Sequence, residues 1–146
     1  MRQLALGVLA AFVVVLTLSG CEYFEGEPEP TIDPADPSAP QIGGVITAAI
    51  DGYNTYGATA MFPFMALEVT QVCTEEQFVA DMADGADLTT LRMMKSIEHT
   101  DEGGALVTLD VITADGDVEQ VWTMTLARNN VWKILDVPGM SDCKVA

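Results

Sequence analysis

The sequence predicts an α+β domain in which N-terminal helices pack on a four-stranded antiparallel meander sheet. Three observations lead there. Apolar residues recur at helical spacing in segments between residues 44 and 85, and no clear strand pattern precedes them. After Leu91 the period changes to alternation. Asp115-Gly116 and Asn129-Asn130 then interrupt the alternation, and both dipeptides tolerate the positive φ angles of tight hairpins.

The first helix is expected over residues 44–57, where Val45, Ala49, Tyr53 and Tyr56 recur at helical spacing with Ile46 and Ile50 beside them. It is entered after Pro40 and broken near Gly57. Pro63 suits a first turn but not a helix interior. A short, very apolar helix is therefore expected over residues 62–70, with Phe64, Met65 and Leu67 buried. Thr74 and Gln77 form a T-x-x-Q capping box ahead of Phe78, Val79 and Met82, and Gly85 is placed to end that helix.

Strands are expected at residues 91–99, 105–114, 117–128 and 131–137. Neighbours joined by two residues must be antiparallel. Two-residue turns pair Ala114 with Asp117 and Arg128 with Val131, which sets Leu109 against Trp122 and Met124 against Leu135. One face then carries Val107, Leu109, Val111, Trp122, Met124, Leu126, Leu135 and Val137, and is expected to cover the helices. The other face mixes Leu106, Ile112, Trp132 and Ile134 with Thr108, Asp110, Thr123, Thr125 and Asp136. If Thr100 pairs with Ala105, that face also gains His99, and Lys95 opposite Asp110. Such a half-apolar surface suits a homodimer and equally suits ordinary solvent exposure.

Charge narrows the partners. The 146 residues carry 6 Lys+Arg against 22 Asp+Glu, a net charge of −16. That excess argues against nucleic acid, whose phosphates need clustered cations, and against simple electrostatic adhesion to an anionic membrane. A hydrophobic content of 49% is too high for a wholly disordered chain.

The N-terminus reads as a targeting device. Arg2 is the only charge before Glu22, and an uncharged, mostly apolar stretch runs from Leu4 to Leu18. Leu18-Ser19-Gly20-Cys21 closes it and resembles, residue for residue, the lipobox of prokaryotic lipoproteins. The resemblance implies that residues 1–20 are a signal peptide cut before Cys21, whose sulfur carries diacylglycerol. It places the chain on the cell membrane, lipid-anchored and facing outside the cytoplasm. The alternative is an uncleaved transmembrane helix, for which the stretch is short at ~1.5 Å per residue against a ~30 Å bilayer core.

Cysteine usage agrees with export. With Cys21 lipidated, Cys73 and Cys143 remain, and an oxidising compartment favours their pairing. Two separate buried thiols are the other reading. There is no Cys-x-x-Cys pair or Cys/His cluster to suggest zinc, and Asp110, Asp115, Asp117 and Glu119 lack calcium-loop spacing. No metal or cofactor is expected. Residues 22–41 hold five prolines and six carboxylates, which makes residues 21–41 an anchor followed by a solvated linker. The folded domain is expected at 42–146.

Several helices before a long meander, with a last strand reading Asn130-Val131-Trp132-Lys133-Ile134, resemble the nuclear transport factor 2-like superfamily. Within it, the similarity is to small secreted lipoproteins ending "G-x-W-K-I" and then a cysteine. Tyr53 and Tyr56 on the first helix, the Cys-Thr-Glu-Glu run at 73–76 and Trp132-Lys133-Ile134 carry the likeness, with Asn130 in place of the usual turn glycine. The resemblance implies a sheet curved around a long helix into a cone with an apolar pocket, and frequent dimers through the sheet. The pocket-lining residues expected here are Tyr53, Tyr56, Phe64, Leu109, Trp122 and Met124.

The same superfamily includes isomerases and cyclases with an Asp or His proton shuttle beside a Tyr, a pairing suited to enolisation. Asp51 and Glu68 are the carboxylates near Tyr53 and Tyr56 in sequence, but Asp51 falls on the opposite side of its helix. His99, the sole histidine, is expected on the outer face near a turn. The preferred reading is a non-catalytic module that binds a hydrophobic small molecule or an envelope protein. The alternative is an isomerase- or hydrolase-like enzyme using a cavity carboxylate and a Tyr.

Overall fold

The computed structural model describes residues 32–85, 90–113 and 115–146. Cys21, the signal segment and the linker up to Thr31 lie outside the described residues. Among those described, no helix is long and apolar enough to cross a membrane.

Four helices precede the strands: α1 (Ala39–Tyr56), α2 (Ala58–Met61), α3 (Leu67–Val72) and α4 (Glu75–Gly85). The sheet follows as β1 (Thr90–His99), β2 (Gly104–Thr113), β3 (Gly116–Leu126) and β4 (Trp132–Asp136), in spatial order β1-β2-β3-β4 with all pairs antiparallel. The expected α+β meander is therefore present.

α1 starts earlier than the periodicity indicates, with Pro40 in its first turn, where a missing N–H costs nothing. The folded domain thus takes in residues assigned to the linker. Ile42, Ile46, Ala49 and Ile50 form the buried stripe. Gly57, at φ 80°, ends the helix by donating its N–H to the Tyr53 carbonyl at 2.8 Å.

The helix expected over 62–70 is not continuous. Phe62–Phe64 form a 3-10 turn around Pro63, and Met65 and Ala66 are extended. Met65 bridges Ile134 in parallel, and the Ala66 N–H donates to the Ile134 carbonyl at 2.7 Å. β4 would otherwise leave its outer edge unpaired, so two residues of strand at this point serve the sheet better than another helical turn. Met65 is buried as expected and Phe64 partly so, but Leu67 is 67% exposed.

The capping box on α4 forms as the sequence indicates. The Thr74 N–H donates to the Gln77 side chain at 2.9 Å, and the Gln77 N–H donates to the Thr74 hydroxyl at 3.3 Å.

The register differs in two instructive ways. At the first tight turn Thr113 pairs with Gly116, whose φ is 125°, and Asp117 pairs with Ile112. Val107 therefore faces Trp122, and Leu109 faces Gln120. Each partner has moved by two positions, which preserves the faces: Val107, Leu109, Val111, Trp122 and Met124 are all buried against the helices.

At the second turn the shift is by one, and the faces invert. Ala127 and Val131 close a three-residue loop, Arg128-Asn129-Asn130, with Asn130 in the left-handed region at φ 58°. Met124 consequently pairs with Ile134 rather than Leu135. Trp132 and Ile134, expected outside, are buried; Leu135 is only partly buried and Leu126 is 42% exposed. The Trp122 indole N–H is satisfied inside by the Gln120 side-chain oxygen at 3.0 Å.

β1 carries two irregularities, between Leu91 and Met93 and between Met94 and Ser96. They bring Lys95 within 3.3 Å of Asp110, as the face assignment requires. His99, however, pairs with Ala105 instead of leaving that place to Thr100, so it leaves the outer face. Its ring stands 6.0 Å from Trp132 and its side chain reaches the start of α1. The outer sheet face exposes Leu106, Ile112 and Val121.

Candidate functional site

The residues expected to line one pocket do not share one. Leu109, Trp122 and Met124 are fully buried in the packed core. Tyr53 and Phe64 are partly buried against it, and Tyr56 is 79% exposed, so it faces water instead of an interior wall. None of the six lines the clefts described below. Asp51 and Glu68, the carboxylates considered as proton shuttles, are both exposed.

His99 has acquired partners the sequence did not indicate. Its Nε2 lies 2.8 Å from Asp36 Oδ2 and 3.2 Å from Ser38 Oγ, while the Ser38 hydroxyl donates to Asp36 Oδ1 at 2.6 Å. Serine, histidine and aspartate meet here, but not as a nucleophile relay. Such a relay places the hydroxyl on one ring nitrogen and the carboxylate on the other; here both contact the same nitrogen. The cluster is a tie between the segment before α1 and the end of β1. The Ser38 hydroxyl, His99 and the Ser38 N–H, in that order of influence against a small desolvation, hold the Asp36 carboxyl down at about 2.

Asp81 is a second polar centre. It sits on the face of α4 that also buries Phe78 and Met82, and is itself 7% exposed. Its carboxylate accepts the N–H groups of Ser141, Asp142 and Cys143 at 3.0–3.1 Å and the Ser141 hydroxyl at 2.7 Å. Burial pushes this carboxyl up. The Ser141 hydroxyl and the three N–H groups more than offset that, leaving it below its ordinary value. Cys143 also stands at disulfide distance from Cys73, with Cα atoms 5.4 Å apart. Asp81 and Cys73 border a small cleft of about 270 Å³, but the Asp81 bonds to Ser141, Asp142 and Cys143 hold the C-terminal segment.

The cleft with binding chemistry lies between α3 and the β3–β4 turn, with a volume of about 580 Å³. Three local features build it. The extended Ala66 sets α3 beside β4, so that Val69 turns into the core and Leu67 turns out. The three-residue turn carries Arg128 to the opposite rim. Because Trp132 and Ile134 point inward, alternation sends Lys133 outward, where its ammonium donates to the Pro63 carbonyl at 2.7 Å. Leu126 completes the apolar part of the wall.

The charges are unevenly spent. Arg92 pairs with Asp117, Lys95 with Asp110 and Glu119, and Lys144 with Asp136. The hydrogen bond to Glu119 raises the Lys95 ammonium, against desolvation and with help from Asp110. Among the described residues, Arg128 and Lys133 form no ion pair with a carboxylate. Neither is read as a site residue from the sequence, where Arg128 enters only as a turn partner of Val131 and Lys133 only within Trp132-Lys133-Ile134. The position of Leu67 was hidden by the expected continuous helix.

Compared with protein-family models, curated proteins and solved structures, the chain matches none.

Proposed function

We propose that this chain is an extracytoplasmic lipoprotein of nuclear transport factor 2-like build, tethered through a lipid on Cys21, whose folded domain binds a hydrophobic ligand. Export is supported by the Cys73–Cys143 pair, since such links persist in oxidising compartments. Binding is supported by one observation above the others. In the cleft between α3 and the β3–β4 turn, Leu67 is 67% exposed and Leu126 42% exposed, side by side with polar groups that can orient a ligand. Its volume, about 580 Å³, is of the size that small-molecule sites have.

Native mass spectrometry of the chain extracted from its own membranes tests the reading. A bound hydrophobic small molecule is expected, together with its loss in a Leu67→Asp variant, which introduces a charge at an exposed position without touching the core. Spectra that stay empty across gentle extractions contradict it, as does an adduct that Leu67→Asp leaves in place.

A further inference from the structure

We infer that the ligand of this cleft is an anionic amphiphile, a monomeric molecule whose carboxylate is held by Arg128 and Lys133 and whose alkyl body lies on Leu67 and Leu126. The inference rests on the binding reading above and adds to it the charge of the ligand.

The carboxylate surplus makes the two cations informative. In a chain with 22 Asp+Glu and 6 Lys+Arg, carboxylates outnumber cations, so a cation left out of every ion pair stands out. Of the five cations among the described residues, three are engaged in ion pairs, and the remaining two line the same cleft. Lys133 is steadied by the Pro63 carbonyl, a neutral acceptor that uses one of its three ammonium donors and leaves the charge uncompensated. Arg128 presents a planar fork suited to a carboxylate.

Glu68 sets the charge of the guest. It is exposed, lines the same cleft from α3, and forms no ion pair with either cation among the described residues. Two cations and one carboxylate leave a single positive charge, which matches a monoanion better than a polyanion. The exposed leucines call for an apolar body attached to it, since burying them is worth about 25 cal/mol per Å².

The net charge separates a single molecule from a membrane surface. A bilayer of anionic lipid faces the whole chain, whose net charge of −16 opposes that approach. A monomer inside the cleft feels chiefly what lies within the screening length, about 8 Å at physiological salt. There the cations prevail.

The test uses the full chain in nanodiscs of zwitterionic phosphatidylcholine, titrated with octanoate and with 1-octanol and followed by saturation-transfer NMR, with empty nanodiscs as the blank. Octanoate is expected to bind about tenfold tighter than octanol, the scale of a charge-assisted contact. Added salt is expected to weaken octanoate and not octanol. The Arg128→Gln/Lys133→Gln variant is expected to lose that advantage, and Arg128→Lys/Lys133→Arg to keep most of it. If the double variant fails to fold, Arg128→Gln alone, at an exposed turn, carries the comparison. Equal binding of octanoate and octanol overturns the assigned charge while the hydrophobic-ligand reading stands. Binding of neither overturns both. Adsorption to phosphatidylglycerol vesicles that depends on Arg128 and Lys133, without octanoate binding, overturns the monomer in favour of a membrane surface.

Discussion

The Asp81 carboxylate on α4 accepts the N–H of Cys143 at 3.0 Å, so the residue that reaches back to Cys73 is held by its backbone and its side chain together. One acidic side chain and one sulfur link therefore close the C-terminal segment onto the helices.

Removing the carboxylate should release that segment. Asp81→Ala leaves three buried or half-buried N–H donors without their acceptor and is expected to cost about 3 kcal/mol, the scale for hydrogen bonds to a charged group. Amide exchange at residues 141–143 should accelerate most. The pH dependence follows from the lowered carboxyl. A group whose folded pKa lies below its unfolded value stabilises the fold above the unfolded pKa, and loses that contribution as pH falls through the folded pKa. The urea stability gap between the native chain and Asp81→Asn should be full at neutral pH and narrow below about pH 4. A gap independent of pH contradicts the assignment.

The sulfur link makes a separate contribution. It spans a sequence separation of 70, and a Cys73→Ser/Cys143→Ser variant is expected to lose about 4 kcal/mol of stability by the chain-entropy argument. Equal urea midpoints for the two chains would mean that the cysteines are not joined in solution.

The β3–β4 turn depends on Asn130 at φ 58°. Asn130→Gly should be neutral or slightly stabilising, whereas Asn130→Val should cost about 1–2 kcal/mol, because a branched side chain is strained in the left-handed region. Denaturant midpoints read both. If valine is tolerated as well as glycine, the turn is not the three-residue form.

This turn also shows where sequence reading stops. The strands and their order were legible, because alternation and Asp115-Gly116 mark them strongly. So was the α4 cap, since Thr74 and Gln77 carry their own geometry. Whether Asn129-Asn130 closes a two- or a three-residue loop is a local choice that composition does not decide, yet one residue of slip moves Trp132 and Ile134 from outside to inside. The break at Met65 was hidden for another reason: it answers the open edge of β4, a partner about seventy residues away. Asp81 escaped notice because an acid on an apolar stripe reads as solvent-facing until the C-terminal donors are in place. Several cleft residues drew separate readings, Leu67 and Leu126 as inward-facing, Arg128 as a turn partner and Lys133 within Trp132-Lys133-Ile134, but nothing in the sequence brought them to one place.

The tie at the start of α1 should appear in a titration. The Asp36 carboxyl, held down at about 2, should titrate near that value by carbon NMR. Ser38→Ala should raise its midpoint toward the ordinary range, because the Ser38 hydroxyl is the strongest of the groups lowering it. An ordinary midpoint in the native chain would show that the contact does not persist in solution.

The mass of the mature N-terminus, measured on the chain purified from membranes, bears most directly on the proposal that this domain works outside the cytoplasm on a lipid tether. The expected result is a chain that begins at Cys21 and carries diacylglycerol on its sulfur, with Cys21→Ala no longer recovered in that form. A chain that still begins at Met1, or an unmodified thiol at Cys21, contradicts it.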